Sequence, residues 1–587
     1  MNTDLMIKTM KRTVLKIAGA SGMGLLSVGK IVSRLLKQMG YYVNVDREFP
    51  SLIKGGHSNL QIDFGLEPIY CSSNQADLVI ALDRAGLLEY IDSIKEGGIL
   101  VYGYERHHLI KELQEKAEKR NIHLVYMPAR TIAYSFGGSE LMVNMVLSGL
   151  IWRVLGLDLA PLKEEIEYQF ATKPKLLAID LKCMQAGYDA EGVDIPEFEL
   201  EHPSGVPDKI MLDGNMAIAL GAIHCGVRAY YAYPMSPASS ILNHLANHAQ
   251  KTGMLVKQAE DEITAAQMTI GSMHMGARAF TATSGGGFDL MTETVSLSGI
   301  TETPLVIVIA QRPGPGTGLP TWTSQGDLNL AIHAGHGEFA RIVIACSDPT
   351  SAYELIQQAM NRAEKYQTLV ILLTEKTIAE AQMMVDPFEQ KTIPIERGLV
   401  TDPEELEQLK SADRFELTES GISKRWIPGS SNTTYYANGD EHEEDGSLTE
   451  EAEPVRKMID KRLRKLETIR AELPDPIIHG TESGATISFI GWGSSKNVMR
   501  DIIPFYEKKG VKVNYLHFDY VYPLKTEKLK SFFAQNPNIH LIEGNYFGQF
   551  GNLVESKADV KLKGRLLKYD GRPFFLEDVM EYIDKNI

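Results

Sequence analysis

Six short apolar runs, RAYYAY, MLVKQA, ARAFTAT, PLVIVIA, ARIVIA and TLVILLT, succeed one another between residues 228 and 374, with helical text between them. Strands that alternate with helices lie parallel, because a crossover of helix length returns the chain to the same end of the sheet. Runs this apolar suit strands covered on both faces. Segment 208–400 therefore reads as a parallel sheet whose loops gather at the strand ends, where α/β proteins place their ligands.

The same alternation appears in TVLKIAGA (13–20), YYVNVD (41–46), ADLVIAL (76–82), GILVYG (98–103) and IHLVYM (122–127), which makes 8–161 a doubly wound module. It restarts in ATISFIGWGSS, VKVNYLHFDYVYP and IHLIEGN within 476–587. Between the modules the text loses period and gains charge. Segment 162–207 reads as a connection and 401–475 as a linker, whose most acidic run, EHEEDGSLTEEAE (441–453), reads as a solvated loop leading into a helix. The expected fold class is α/β, with three α/β modules in series.

Composition narrows the partners. Sixty basic against seventy-six acidic side chains leave a net charge of −16. A field of that sign repels phosphate backbones and anionic lipid, so neither nucleic acid nor membrane is expected as a partner. The four cysteines, Cys71, Cys183, Cys225 and Cys346, include no C-x-x-C pair. Any iron–sulfur cluster is therefore expected on another chain, and such sparse thiols suit a reducing, cytoplasmic setting. No run of 18 apolar residues occurs, and Met1 to Gly24 lacks a signal-peptide cleavage pattern.

Five strand-to-helix turns carry candidate chemistry. Gly19-Ala20-Ser21-Gly22-Met23-Gly24 reverses the order of the dinucleotide fingerprint, and even with Asp46 at the end of the next strand it reads as a tight turn more readily than as a nicotinamide site. In YPMSPASS (233–240), Pro234 and Pro237 stiffen a loop that presents hydroxyls, for which capping of the next helix by Ser236 or Ser239 is the simpler use. Glu260-Asp261-Glu262 begins a helix, where acids suit the macrodipole, while Ala265, Ala266 and Gly271 would let a ligand pack closely. Gly285 to Gly287 in TATSGGGFDLM either make a tight turn or let backbone approach a ligand. In QRPGPGTGLPT (311–321), Arg312 ends a buried strand within a loop stiffened by prolines; it is a good receptor for a carboxylate, or else an ordinary surface arginine.

Taken together, YPMSPASS, AEDEITAA, TATSGGGFDLM, QRPGPGTGLPT and SQGDL resemble the alpha subunit of the 2-oxoacid:ferredoxin oxidoreductases, in the form with a fused N-terminal gamma domain. GASGMGLLSVGK and SLIKGGHSN resemble the gamma part; FIGWGSS and LIEGNYFGQFGNL resemble the C-terminal part. The resemblance implies a gamma-like domain (8–161), a thiamine diphosphate pyrimidine-binding domain (208–400) and a transketolase C-terminal-like domain (476–587). It implies oxidative decarboxylation of a 2-oxoacid to an acyl-coenzyme A, with electrons passing to ferredoxin. Thiamine diphosphate would be shared with a beta subunit in a duplicated alpha–beta pair, and magnesium and the iron–sulfur cluster would sit on that partner, no metal ligand being expected here.

By the same resemblance Glu262 is the activating acid, and Tyr233, Pro234, Ser236, Ser284 and Gly285 adjoin the cofactor. Arg312 and Thr321, with Ser236, would hold the substrate carboxylate. Lys54, in SLIKGGHSN, would meet the far carboxylate of a dicarboxylate, unless it is a solvated loop lysine. 2-Oxoglutarate is the preferred substrate; the alternatives are pyruvate, branched-chain or aryl 2-oxoacids, or a non-catalytic scaffold subunit. Three positions depart from the family pattern: Ser236 replaces the commoner Thr, Gly286 stands where Pro is usual, and Gly316 where Ser is usual.

Overall fold

The computed structural model describes residues 11–20, 25–51, 57–103, 111–388 and 393–587. The chain divides into two compact units, one of Met1–Met211 with Ala381–Pro387 and Phe575–Asp584, the other of Leu212–Glu380 with Phe388–Phe574 and Lys585–Ile587. Among the described residues no helix is long and apolar enough to cross a membrane.

The first unit is built on β1 (Arg12–Ala20), β2 (Tyr42–Glu48), β3 (His57–Gly65), β4 (Ala76–Ala81), β5 (Ile94–Tyr102) and β6 (His123–Tyr126), with β7 (Ile210–Leu212) and β14 (Gln382–Val385) at one edge, in the order β6-β5-β4-β1-β3-β2-β14-β7. Neighbours among β1, β4, β5 and β6 pair parallel, whereas β3 is antiparallel to both β1 and β2. The sheet is thus mixed, and the strand that makes it so has no continuous apolar run. HSNLQIDFG alternates instead: Leu60, Ile62 and Phe64 enter the core, and Asn59, Gln61 and Asp63 are buried as polar groups. Asp63 accepts from the Ser73 N–H at 3.1 Å and from Gln61 Nε2 at 2.7 Å. Burial still pushes its carboxyl up to about 6.

Within 162–207, expected as a connection, the helices Leu159–Phe170 and Pro174–Asp189 belong to this unit. Pro174–Asp189 crosses the helix Val143–Val154 at two glycines. A Cβ on Gly149 would meet Met184 O at 2.0 Å, and one on Gly187 would meet Val146 O at 1.9 Å, so only glycine permits the approach. Of the N-terminal motifs, Ser21 to Gly24 and Lys54 lie outside the described residues.

The second unit holds two sheets. All six apolar runs form strands: β8 (Ala229–Ala232), β9 (Leu255–Gln258), β10 (Ala279–Thr283), β11 (Leu305–Gln311), β12 (Arg341–Ala345) and β13 (Leu369–Glu375). They pair parallel in the order β12-β13-β11-β10-β8-β9, and β18 (Tyr520–Tyr522) adds an antiparallel edge beside β12. The other sheet runs β15 (Ile477–Gly480), β17 (Val513–Phe518), β16 (Ile487–Trp492), β19 (Ile539–Glu543), β20 (Gly564–Leu567).

Segment 401–475, expected as a linker, is packed into this unit by buried charge. On the helix Ala452–Glu472, Lys461 Nζ lies 2.6 Å from Glu302 Oε1 and Lys465 Nζ contacts Oε2, all three side chains being buried. Arg414 donates to the carbonyls of Thr301 at 3.1 Å and Glu302 at 3.0 Å. Burial opposes the Glu302 charge, but the three cations outweigh it and hold the carboxyl well below the usual range. Burial brings Lys461 down to about 8. Charges that face inward erase the apolar period, which is why the segment reads as linker. Glu302→Gln removes the counter-charge of two buried ammonium groups and is expected to destabilise this unit by about 3–5 kcal/mol, seen as a lowered denaturant midpoint. A wild-type midpoint would show that the cluster does not hold the segment.

Candidate active site

β11, β10, β8 and β9 are consecutive neighbours, and because they are parallel their carboxyl ends open four loops side by side. Those loops carry Arg312 to Thr321, Ser284 to Gly287, Tyr233 to Ser240, and Asp261 with Glu262. The sheet therefore assembles, at one edge, the described side chains that the sequence singled out across this segment.

Of the three acids after β9, Asp261 is the helix cap, its carboxylate accepting from the Thr264 N–H at 2.7 Å. Glu262 is thus free of capping duty. It is the first residue of the helix Glu262–His274, only 4% exposed, and its Oε1 has no hydrogen-bond partner among the described residues. The wall beside it is backbone: a Cβ on Gly287 would lie 2.9 Å from the Glu262 carboxyl and 2.1 Å from Thr283 Oγ1. Ser284 is fully buried with its Oγ equally unpartnered among the described residues. Leaving such groups unsatisfied costs about 1–3 kcal/mol each, which a ligand that donates or accepts there relieves. These orphaned atoms and the glycine wall fit the flat, nitrogen-bearing ring of a pyrimidine cofactor.

The Tyr233 to Ser240 loop is held from two sides. Asn215 Nδ2 donates to Pro237 O and Ser240 Oγ, each at 2.7 Å, and Arg312 Nη1 donates to Ser236 O at 2.8 Å. The capping use expected for Ser236 or Ser239 is not made: Ala238 is the N-cap of the helix Ser239–Thr252, without a side-chain bond. Side chains of other elements fix this loop, which leaves its hydroxyls uncommitted to the helix end. Ser236 is half-buried, while Tyr233 and Pro234 are exposed. Arg312 is half-buried; burial draws its pKa down, and Asp327 opposes this. Thr321 is buried. Between them the loop closes on itself, with Leu319 N donating to Pro313 O at 2.9 Å, and Gly318, at φ 55°, sits where a Cβ would be 1.9 Å from that same oxygen.

Four residues with structural roles here were not foreseen: Asn215, Gln325, Asp327 and Glu375. Gln325 Nε2 donates to Glu375 Oε1 at 3.2 Å and to Trp492 O at 2.8 Å, its Oε1 accepts from Gly544 N at 2.6 Å, and Thr323 Oγ1 donates to Glu375 Oε2 at 3.0 Å. This knot ties the Arg312 to Thr321 loop to the last sheet, and burial raises the Glu375 pKa. Asp327 stands against Gly285, where a Cβ would be 2.7 Å from its Oδ2. Gln325 and Asp327 belong to the run SQGDL, a few residues after the loop.

The family described as "Pyruvate flavodoxin/ferredoxin oxidoreductase, thiamine diP-bdg" matches residues 220–461, and "Pyruvate ferredoxin/flavodoxin oxidoreductase" matches residues 14–190. The chain is 32% identical to the 2-oxoacid:ferredoxin oxidoreductase subunit alpha of Sulfolobus sp, across 97% of this chain and 96% of that one. It is 27% identical to the 2-oxoglutarate oxidoreductase subunit KorA of Mycobacterium tuberculosis, across 98% and 91%. Its fold matches the 2-oxoglutarate:ferredoxin oxidoreductase from Magnetococcus marinus with a TM-score of 0.90 at 29% identity, covering 98% of this chain and 99% of that one. Likeness of this extent, carried through every module, shows that the chain belongs to the 2-oxoacid:ferredoxin oxidoreductases, thiamine diphosphate-dependent enzymes, as a subunit of the alpha type.

Proposed function

We propose that this chain is the alpha subunit of an enzyme that oxidatively decarboxylates 2-oxoglutarate to its acyl-coenzyme A and passes the electrons to ferredoxin. The observation that carries the reading is the buried Glu262 carboxyl, whose Oε1 has no partner among the described residues and lies beside Gly287, where a side chain would crowd it. Thiamine diphosphate, when bound, supplies the electron sink for decarboxylation. Glu262 Oε1 would share a proton with the ring nitrogen of its pyrimidine, a general acid–base role. Tyr233, Pro234, Ser236, Ser284 and Gly285 would line the same ring. Arg312 and Thr321 would hold the 2-oxoacid carboxylate, with the Ser236 hydroxyl beside it.

A beta subunit would complete the site with magnesium and an iron–sulfur cluster. The four cysteines of this chain support that assignment, each being buried outside any disulfide and none standing in a C-x-x-C pair. The preference for 2-oxoglutarate is supported by the names of the Mycobacterium tuberculosis relative and of the Magnetococcus marinus structure. The Sulfolobus relative bears the broader name, so pyruvate, branched-chain and aryl 2-oxoacids belong in the same assay.

Co-purified with its partner and supplied with coenzyme A and a viologen acceptor, the chain should reduce the dye fastest with 2-oxoglutarate. No 2-oxoacid-dependent reduction would return it to a scaffold role. Glu262→Gln should assemble normally and lower kcat by on the order of a hundredfold or more. Arg312→Lys replaces a planar fork by a point charge and should raise KM more than it lowers kcat; a lowered kcat at unchanged KM would make Arg312 a chemical rather than a positioning residue.

A further inference from the structure

Asp327 is a second carboxyl in this site, with no task in the reading above. It follows the Arg312 to Thr321 loop and is held by its backbone: its N–H donates to Gln311 Oε1 at 3.1 Å, Gln311 Nε2 donates to Thr374 O at 3.3 Å, and its carbonyl accepts from Ala331 N at 2.8 Å. The side chain is left pointing at the short helix Gly285–Asp289 after β10, which stands where the sequence allowed a tight turn and where the absence of a Cβ on Gly285 gives it room. Its Oδ2 is buried and has no hydrogen-bond partner among the described residues.

Two charged groups act on it from packed elements, Asp289 at the end of the short helix Gly285–Asp289 that follows β10 and Arg312 from the end of β11; the Glu262 carboxyl lies at another glycine of that helix, Gly287. Arg312 gives its Nη1 to Ser236 O. The guanidinium is therefore oriented by a neutral carbonyl, while the carboxyl nearby acts on it through space.

We propose that Asp327 is a positioning residue that sets how much of the Arg312 charge is available to an incoming carboxylate, so that the 2-oxoacid binds together with a proton. The inference rests on the reading that Arg312 receives that carboxylate. An ionised Asp327 would both offset the guanidinium and repel the substrate, whereas a neutral one leaves the attraction whole. Burial, assisted by Asp289 and opposed by Arg312, pushes Asp327 up to about 7, so both forms are present near neutral pH. Linkage is reciprocal: if protonation of Asp327 favours substrate, then substrate favours protonation of Asp327.

The test is the pH dependence of KM for 2-oxoglutarate in the complete complex, wild type against Asp327→Asn, whose side chain is neutral throughout. Wild-type KM should climb above pH 7 by up to about tenfold per pH unit, while that of Asp327→Asn stays flat and falls below wild type at pH 8.5. Titration of the dianion into the wild-type complex at pH 7.5 should show proton uptake, as heat that varies with the ionisation enthalpy of the buffer, and Asp327→Asn should abolish it. Asp327→Ala, which removes the carboxyl altogether, is the second variant should Asp327→Asn not assemble, and should flatten the profile likewise. Parallel profiles in wild type and variant, or a flat wild-type profile with no proton uptake, would overturn the role of Asp327 while leaving the enzyme assignment standing. A complex that turns over no 2-oxoacid at any pH would instead remove the reading of Arg312 on which it rests.

Discussion

The Glu262 carboxyl and the bare backbone of Gly287 occupy one another's space, and much of the site follows from that contact. With a Cβ on residue 287 both the Thr283 hydroxyl, at 2.1 Å, and the Glu262 carboxyl, at 2.9 Å, would have to shift, because each is closer than a carbon and an oxygen tolerate. With the glycine in place, an acid can be buried at the start of a helix whose cap, Asp261, is supplied separately. The pairing also explains why adjacent parallel strands matter. β9 delivers Glu262 and β10 delivers the glycine-rich helix start, and β8 lies between them in the sheet, so its loop enters the same space.

Rigidity behind this edge comes from buried ions as much as from apolar packing. Glu364 receives Arg278 at 2.6 Å, Arg397 at 2.7 Å and Arg425 at 3.2 Å, and Arg278 also reaches Asn361 Oδ1 at 2.6 Å and Cys225 O at 2.8 Å. Glu302 gathers Lys461 and Lys465 in the same manner. Each cluster gathers more cations than anions around one carboxylate, so each depends on that acid. Such sites set register through geometry, since a guanidinium fork or an ammonium group accepts few arrangements once water is gone.

How much of this was legible follows from the kind of signal each residue gives. Continuous apolar runs announced β8 to β13 and, through them, the common edge that brings Ser236, Glu262, Ser284 and Arg312 together. β3 escaped because its polar residues, Asn59, Gln61 and Asp63, are buried in hydrogen bonds, and only its alternation of two marks it as a strand. The packing of 401–475 escaped for a related reason: Arg414, Lys461 and Lys465 look like solvated charge until Glu302, more than a hundred residues earlier, is placed beside them. Ser236 and Ser239 invited a capping reading because local chemistry favours it, but Asn215, from the helix Gly214–His224, and Arg312, just past β11, compete for the loop and win. Asp327 carries no local signal at all apart from its place after a ligand loop. Its significance lies in what it faces across Gly285.

The central claim is that the buried Glu262 carboxyl moves the proton that activates a bound cofactor. Exchange of deuterium into the thiazolium C2 position of thiamine diphosphate, followed by NMR after acid quench of the co-purified complex, reads that step without substrate. The account predicts rapid exchange in the wild-type complex, and in Glu262→Gln a rate slowed by on the order of a hundredfold toward that of the free cofactor. Equal, rapid exchange in both complexes, with the cofactor bound to the same extent, would contradict it.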